Sequence, residues 1–423
     1  MFPAECLSTL KSQVEFLPVG ETTGNLTVGR GRAFVNDSGA SVSVPVFVAL
    51  IENRLASGSL GVKECEKLAS LFKVVAAKKS GIVLFFDSAG ARVSEGLPAL
   101  GAFRLMYRAA LDAVASGASM AVYCGANCFG GASMLAALGC TRTYSANTRF
   151  AMSGPSILAQ AIGVSALDDM FGAMSMAAIS GEARARLGGA ERMAADLASA
   201  APPSCVTVSL AERHALLGER LAQLKPIGKS SISQNVERKD LAKLYPEGYR
   251  LQECNGVLTG EATSDGRSVL LAGFVGGQTL GAARAWAQAD AFWKLHACVS
   301  RKPISAESQL LQVLVDCDSH STSLDDERVM LSAYLADLSC SLHALASHGV
   351  QIETTVLGKL GGGVYVALCA PVAKVTMLYG TEIQLLPGRA IASILGETAL
   401  QKHAFEEYRF ARVADQELKL GIV

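Results

Sequence analysis

The chain has 423 residues, 50% of them hydrophobic, with 38 basic and 38 acidic side chains and a formal net charge of zero. At roughly 100–200 residues per domain, that length predicts two or three domains, each able to bury its own core. The charge balance leaves no electrostatic footprint for nucleic acid or an anionic membrane surface.

Along the chain, Glu5 and Lys11 interrupt the stretch where an export signal would need its apolar centre, so secretion is not expected. Residues 31–52 read as hairpin-like strands, and a Gly-Ser-Leu-Gly turn at 58–61 then opens an amphipathic helix running to about residue 77. The run Ile82 to Phe86 fits a strand buried on both faces, and it breaks abruptly into Asp-Ser-Ala-Gly-Ala-Arg at 87–92 before a second helical pattern. Residues 113–141 carry no charge, a stretch longer than the roughly 20 needed to span a bilayer. Its glycines, serines and Asn127 divide it instead into a buried strand at 119–124, a turn at 125–129 and a helix at 130–138. The segment 165–199 reads as mostly helical. Residues 225–250 are polar and contain Pro226, Gly228, Pro246 and Gly248, which predicts a linker.

The pattern then starts again. Residues 57–77 match 277–297, the strand ending at Asp87 corresponds to one ending at Asp316, and 120–138 correspond to 353–371 with Gly130-Gly131 over Gly362-Gly363. The predicted organisation is a first domain over 1–224, a linker over 225–252 and a second domain over 253–423, each an α/β fold of stacked ββα units. The eleven cysteines, at 6, 65, 124, 128, 140, 205, 254, 298, 317, 340 and 369, are dispersed and odd in number, as in a cytoplasmic protein with reduced thiols. The close pair, Cys124 and Cys128, has no partners at zinc-finger spacing, so no metal site is expected.

Several of these motifs resemble one family. DSAGARVSEG (87–96) resembles the DSGGARxQEG signature of acyl-CoA carboxyltransferase subunits. CFGGASM (128–134), NRLASGSLG (53–61) and MSGPSILAQAIG (152–163) resemble segments of the β subunit of biotin-independent malonate decarboxylase. LVDCDSHSTSLDDERVMLS (314–332) and GKLGGGVYVAL (358–368) are similar, less closely, to its γ subunit. The resemblance covers roughly 25–190 and 255–400. It implies two tandem crotonase-like domains, β-like and γ-like, joined in one chain. It also implies a malonyl thioester carried on coenzyme A or on the phosphopantetheine of an acyl carrier protein, with no covalently bound cofactor and no metal. A homodimer or larger oligomer is implied as well, with the two sites of the repeated halves facing each other across a subunit interface, and no nucleic-acid or membrane partner.

Decarboxylation of a malonyl thioester passes through an enolate, and fixed donors aimed at its oxygen lower that barrier. Backbone amides suit this because the fold orients them and they do not titrate. The loop at Gly90 and Ala91 is one candidate source, and Gly130 and Gly131, opening a predicted helix, are another. Tight helix–strand packing explains the glycine pair as well. The second half offers the loop 318–320 with Gly362 and Gly363. Among side chains, Arg92 is a candidate to position the thioester arm, or else a partner for Glu95. Ser59, Leu60 and Gly61, with Thr279 as the counterpart of Ser59, are candidates to line the pocket or cap a helix. His320 and Tyr365 are candidate proton donors, Ser319 a substrate contact, and Cys128 a packing residue. DSAGAR lies closer to the carboxyltransferase signature than to the decarboxylase form, so a carboxyltransferase component of a biotin-dependent carboxylase stays open. Against it stand the absence of a Met-Lys-Met biotinylation site and of a four-cysteine zinc ribbon. A non-catalytic acyl-binding scaffold is the third reading.

Overall fold

Residues 4–37, 40–194, 209–224, 233–301, 310–378, 380–386 and 391 are described by a computed structural model. They are mixed α/β with two sheets, and fall into two compact units. One comprises residues up to 213 together with 322–336; the other comprises 214–321 and the residues from 337 on.

In the first unit the order is α1 (Ala4–Gln13), β1 (Leu17–Pro18), β2 (Leu26–Asp37), β3 (Ala40–Ile51), α2 (Val62–Lys78), β4 (Gly81–Ser88), α3 (Gly96–Ala115) and β5 (Met120–Phe129). Then follow α4 (Gly131–Ala137), β6 (Thr141–Tyr144), β7 (Arg149–Ala151), α5 (Pro155–Ala161), α6 (Asp169–Ile179), α7 (Gly181–Ala185) and β8 (Glu191–Met193). Strands β2 and β3 form the antiparallel hairpin, while β3, β4, β5 and β6 are parallel neighbours. The apolar runs of β3 and β4 are continuous because helices and loops cover both faces of a parallel sheet. Val48, Leu50, Val83, Phe85 and Tyr123 pack with Leu10 and Val14 on one face. A smaller cluster joins Ala151, Leu158, Phe171 and Ile179.

After α8 (Leu210–Leu224), the second sheet is built from β9 (Gln234–Asn235), α9 (Lys239–Leu244), β10 (Tyr249–Cys254), β11 (Val257–Ser264), β12 (Arg267–Phe274), α10 (Ala282–Arg301) and β13 (Leu310–Cys317). The remaining elements are α11 (Leu324–Arg328), α12 (Leu331–Ser347), β14 (Gln351–Gly361), α13 (Gly362–Cys369), β15 (Lys374–Met377) and β16 (Glu382–Gln384). Here β11 and β12 are antiparallel, and β12, β13, β14 and β15 are parallel.

Each sheet breaks register at one place. Between β4 and β5 the pairing slips at Phe86/Ser88, and between β13 and β14 it slips at Val315/Cys317. A slip leaves a peptide without its ladder partner, and an aspartate supplies one. Asp87 Oδ1 accepts the Asn127 amide at 3.1 Å, and Asp316 Oδ1 accepts the Lys359 amide at 3.1 Å. Glycine is required beside each carboxylate. A Cβ on Gly125 would lie 2.6 Å from Asp87 Cβ, and one on Gly358 would lie 2.1 Å from Asp316 Oδ1. Past the slip the strand takes a second neighbour: β5 pairs first with β6 and then with β7, and β14 first with β15 and then with β16.

This corrects the expected turn at 125–129. The chain there stays extended as the second half of β5, because Asp87 and β7 complete its hydrogen bonds. The expected linker at 225–252 is also corrected where it is described. From 234 on it provides β9, α9 and the start of β10, with Leu241, Tyr245 and Leu251 buried against Leu258 and Leu271. Within the expected helical stretch 165–199, residues Glu191–Met193 form a strand instead. Among the described residues no helix is long and apolar enough to cross a membrane.

Candidate active site

The loop after β4 is laid against α4. Leu60 forms a one-residue parallel bridge to Ala91, with the Leu60 amide donating to Gly90 O and the Arg92 amide to Leu60 O, each at 2.8 Å. Gly90 has φ +90°, and its amide donates to Ser88 Oγ at 3.1 Å. That amide is engaged. The Ala91 amide, on the next peptide, has no acceptor among the described residues. A Cβ on Gly90 would lie 3.0 Å from Gly131 N and 3.6 Å from Ala132 N, so the loop abuts the first turn of α4. Gly131 and Ala132, as the first two helical residues, have no carbonyl one turn back in their own helix. The fold therefore brings the two amide sources predicted in the first half into contact.

The two glycines at α4 have different causes. Gly130 adopts φ 57°, ψ −132°, a conformation essentially restricted to glycine, while a Cβ there would meet nothing closer than Ala89 O at 3.6 Å. Gly131 is the reverse: its Cβ would lie 2.5 Å from Phe103 Cζ on α3. Close packing explains Gly131, and backbone conformation explains Gly130.

Arg92 is committed to the protein itself. Its guanidinium pairs with Glu64, with Glu95 at 2.6 Å, and donates to Ser59 O at 2.8 Å. Burial opposes its charge, but the bonds to Glu64 and Glu95 outweigh that and hold its pKa above the ordinary value. Glu95 also accepts the Val62 amide at 2.8 Å, capping α2. Gly61 is glycine because a Cβ would lie 2.2 Å from Glu95 Oε1. Buried Asn25 completes the clamp: its Nδ2 donates to Leu55 O and Ser59 O, and its Oδ1 accepts the amides of Arg54 and Leu55. Within this frame Ser59 is 4% exposed and its Oγ has no hydrogen-bond partner among the described residues. A desolvated hydroxyl left in that state costs about 1–3 kcal/mol unless a ligand takes it. Cys128 is fully buried, and burial together with neighbouring Cys124 pushes its thiol well above the ordinary range, consistent with a packing role.

The second unit repeats the bridge, from Leu280 to His320, with the Leu280 amide on Ser319 O and the Ser321 amide on Leu280 O, each at 2.9 Å. His320 thus stands where the first unit has Ala91. Its ring lies over the start of α13: a Cβ on Gly362 (φ +49°) would be 3.6 Å from His320 Nδ1. Ser319 Oγ is 3.4 Å from the same nitrogen. Asp318 is held by Gln384 Nε2, which donates to its carbonyl and its Oδ1. Gly363 and Tyr365 are buried in α13. Thr279 O accepts from Arg284 Nη1 at 3.3 Å, as Ser59 O accepts from Arg92, so a guanidinium from a different position holds the matching carbonyl. A cleft of about 530 Å³ opens nearby, lined by Gly277, Asp316, Asp318, Gly358, Lys359, Gly380 and Glu382. Neither His320 nor the α13 glycines line it.

Burial pushes His320 down to about 4, so at neutral pH it is an uncharged imidazole, not an imidazolium. Between pH 4 and 6.5 the unfolded chain binds a proton there that the folded chain does not. Stability of the second unit is therefore expected to fall as pH drops through that window, by up to roughly 3 kcal/mol. Urea midpoints of wild type and His320→Gln at about pH 5 and pH 7.5 test this; equal pH dependence in the two proteins would refute it.

Asn25, Glu64, Arg184 and Glu327 were not singled out in the sequence, and Asp87 and Asp316 only as the ends of two strands. The buried acidic and amide side chains sit among ordinary helix and strand patterns. The available signal was a glycine packed against three of them, Gly24 at Glu64, Gly125 at Asp87 and Gly358 at Asp316. Among the described residues no group of three His, Cys, Asp or Glu is placed to hold a metal.

Neither a family model nor a curated protein matches the sequence. Among solved structures, the chain is similar to transcarboxylase 12S with hydrolysed methylmalonyl-coenzyme A bound, at 20% identity over 99% of this chain and 85% of that one, TM-score 0.36. It is also similar to the β subunit of geranyl-CoA carboxylase from P. aeruginosa, at 14% identity over 99% and 78%, TM-score 0.35. A Pseudomonas malonate decarboxylase hetero-tetramer in complex with malonate matches at 21% identity over 45% and 76%, TM-score 0.38.

Proposed function

We propose that the chain decarboxylates a malonyl thioester to the acetyl thioester, holding the enolate with backbone amides of the first unit. The observation that carries this is the Ala91 amide, without an acceptor among the described residues, beside the α4 start at Gly131 and Ala132. As carbon dioxide departs, the C–C bonding pair moves into the thioester and negative charge gathers on its oxygen; a proton from solvent then adds to the enolate carbon to give the acetyl thioester. Donors already fixed there need no reorganisation, and losing one typically costs ~10²–10³ in rate. The clamp of Asn25, Glu64, Arg92 and Glu95 keeps the loop from relaxing, and Ser59 Oγ supplies a further hydrogen-bonding group to the ligand.

The carrier is coenzyme A or phosphopantetheine on an acyl carrier protein. Three carboxylates against one lysine in the second unit's cleft disfavour a polyphosphate there, which supports assigning the thioester to the first unit. The loop 318–320 with Gly362 and Gly363 is proposed as a second amide site in a repeated crotonase-like half, with the buried neutral His320 beside it. Homo-oligomerisation and a cytoplasmic location belong to the same proposal.

The test is release of carbon dioxide from malonyl-coenzyme A and from malonyl-acyl carrier protein by purified protein with avidin present. Avidin-insensitive formation of the acetyl thioester is expected. Turnover that needs a biotinylated acceptor would reassign the chain to carboxyl transfer, and thioester binding without turnover would make it a scaffold.

A further inference from the structure

Gly130 keeps its glycine-only conformation because its amide donates to Ala151 O and Met152 O, both at 3.1 Å. Ala151 ends β7 and Met152 follows it, and the residues on either side of the pair are themselves held. The Ser153 amide donates to Glu327 Oε1 at 3.0 Å. Arg184 donates to Phe150 O from Nε at 2.9 Å and from Nη2 at 2.7 Å. It also donates to the Glu327 carbonyl and faces its carboxylate at 3.4 Å. Both side chains of this pair are 0% exposed.

An ion pair so deeply buried adds little net stability, since removing both charges from water offsets their attraction. What it does provide is geometry. Glu327 belongs to the 322–336 segment, which follows the His320 loop in sequence yet packs within the first unit. The same segment touches α4 where Ser332 Oγ lies 2.7 Å from Ser133 Oγ, and Ser133 in turn donates to Gly130 O at 2.7 Å.

We infer that Glu327, with Arg184, is the positioning residue of the first amide site: it fixes residues 150–153, whose carbonyls hold Gly130 and so aim the amides that open α4. This rests on the decarboxylase reading for its kinetic consequence, but not for its structural one. Burial pushes the Glu327 carboxyl up to about 7, against the pull of Arg184 and the Ser153 and Met152 amides. A neutral glutamine in its place is therefore tolerated, and keeps an oxygen for the Ser153 amide.

Glu327→Ala and Glu327→Gln test it in the full chain. In Glu327→Ala, hydrogen exchange at the Gly130 amide is expected to rise about fivefold, the factor one net hydrogen bond supplies, with β2–β4 unchanged. The kcat on malonyl-coenzyme A should fall about 10²-fold with KM within about twofold, the signature of misaligned donors. Glu327→Gln should restore both. Exchange that rises everywhere, stays unchanged at Gly130, or is no better in the glutamine variant overturns the inference. If Glu327→Ala does not fold, the glutamine variant decides by folding with a protected Gly130. Failure of both to fold also overturns it, because a residue needed by the whole fold is not a positioning residue. Absence of decarboxylation by wild type sinks the function reading alone, since the exchange measurement still reports on positioning.

Discussion

Replacing Gly130 with alanine is expected to lower kcat for the malonyl thioester by about 10²–10³-fold, the loss seen when an oxyanion donor is displaced. The cause is conformational. An alanine Cβ has room, with Ala89 O at 3.6 Å and Met152 O at 3.9 Å, but φ 57° with ψ −132° costs a side-chain-bearing residue about 1–3 kcal/mol. The chain should relieve that strain by rotating the peptides that open α4. Thermal midpoint, kcat and KM measured together distinguish this from unfolding: a folded variant with unchanged kcat would remove these amides from the mechanism. Gly131 is the poorer probe, because alanine there strikes Phe103 at 2.5 Å and disturbs packing whatever the chemistry. It becomes informative only when Phe103 is shortened in the same protein.

The second large effect is expected at Glu191. Its carboxylate accepts Arg142 Nε at 2.9 Å and Nη2 at 2.5 Å, and the Tyr144 hydroxyl at 2.5 Å. Arg142 Nη1 in turn donates to Ala137 O and Gly139 O, closing the far end of α4. Burial alone would lower the pKa of Arg142, and Glu191 reverses this and holds it above its ordinary value. Glu191→Ala would leave a guanidinium buried with no counter-charge, a loss of roughly 3–5 kcal/mol. At about 2–4 °C per kcal/mol for a domain of this size, the first unit's midpoint should drop by roughly 6–20 °C. Calorimetry reads this directly, and a drop of under about 2 °C would mean that water replaces the carboxylate.

The candidate site is partly legible in the sequence alone. The apolar run ending at Phe86, the DSAGAR loop and the Gly130-Gly131 pair lie close enough in pattern to mark a strand, a break and a helix start. The structure brings Gly90 against Gly131. Arg92 was legible as a partner for Glu95, but its bond to Glu64, on a different helix, was not. The continuation of β5 through 125–129 was hidden because glycine, alanine and asparagine there have no strand preference of their own. Asp87 and β7, distant in sequence, complete the hydrogen bonds that keep the segment extended.

By itself the sequence determined the alternation of buried strands and amphipathic helices and the positions where glycine lets backbone approach backbone. Those properties depend on side-chain periodicity and local steric freedom, which neighbouring residues set. Tertiary structure alone decided which amides are left without acceptors among the described residues, that Arg92 is consumed by Glu64 and Glu95, and that His320 is buried and neutral where the first unit has alanine. It also decided that Glu327 serves the first unit. Each of these depends on hydrogen bonds and desolvation between residues far apart in the chain, and such pairings carry no local periodicity from which they could be read.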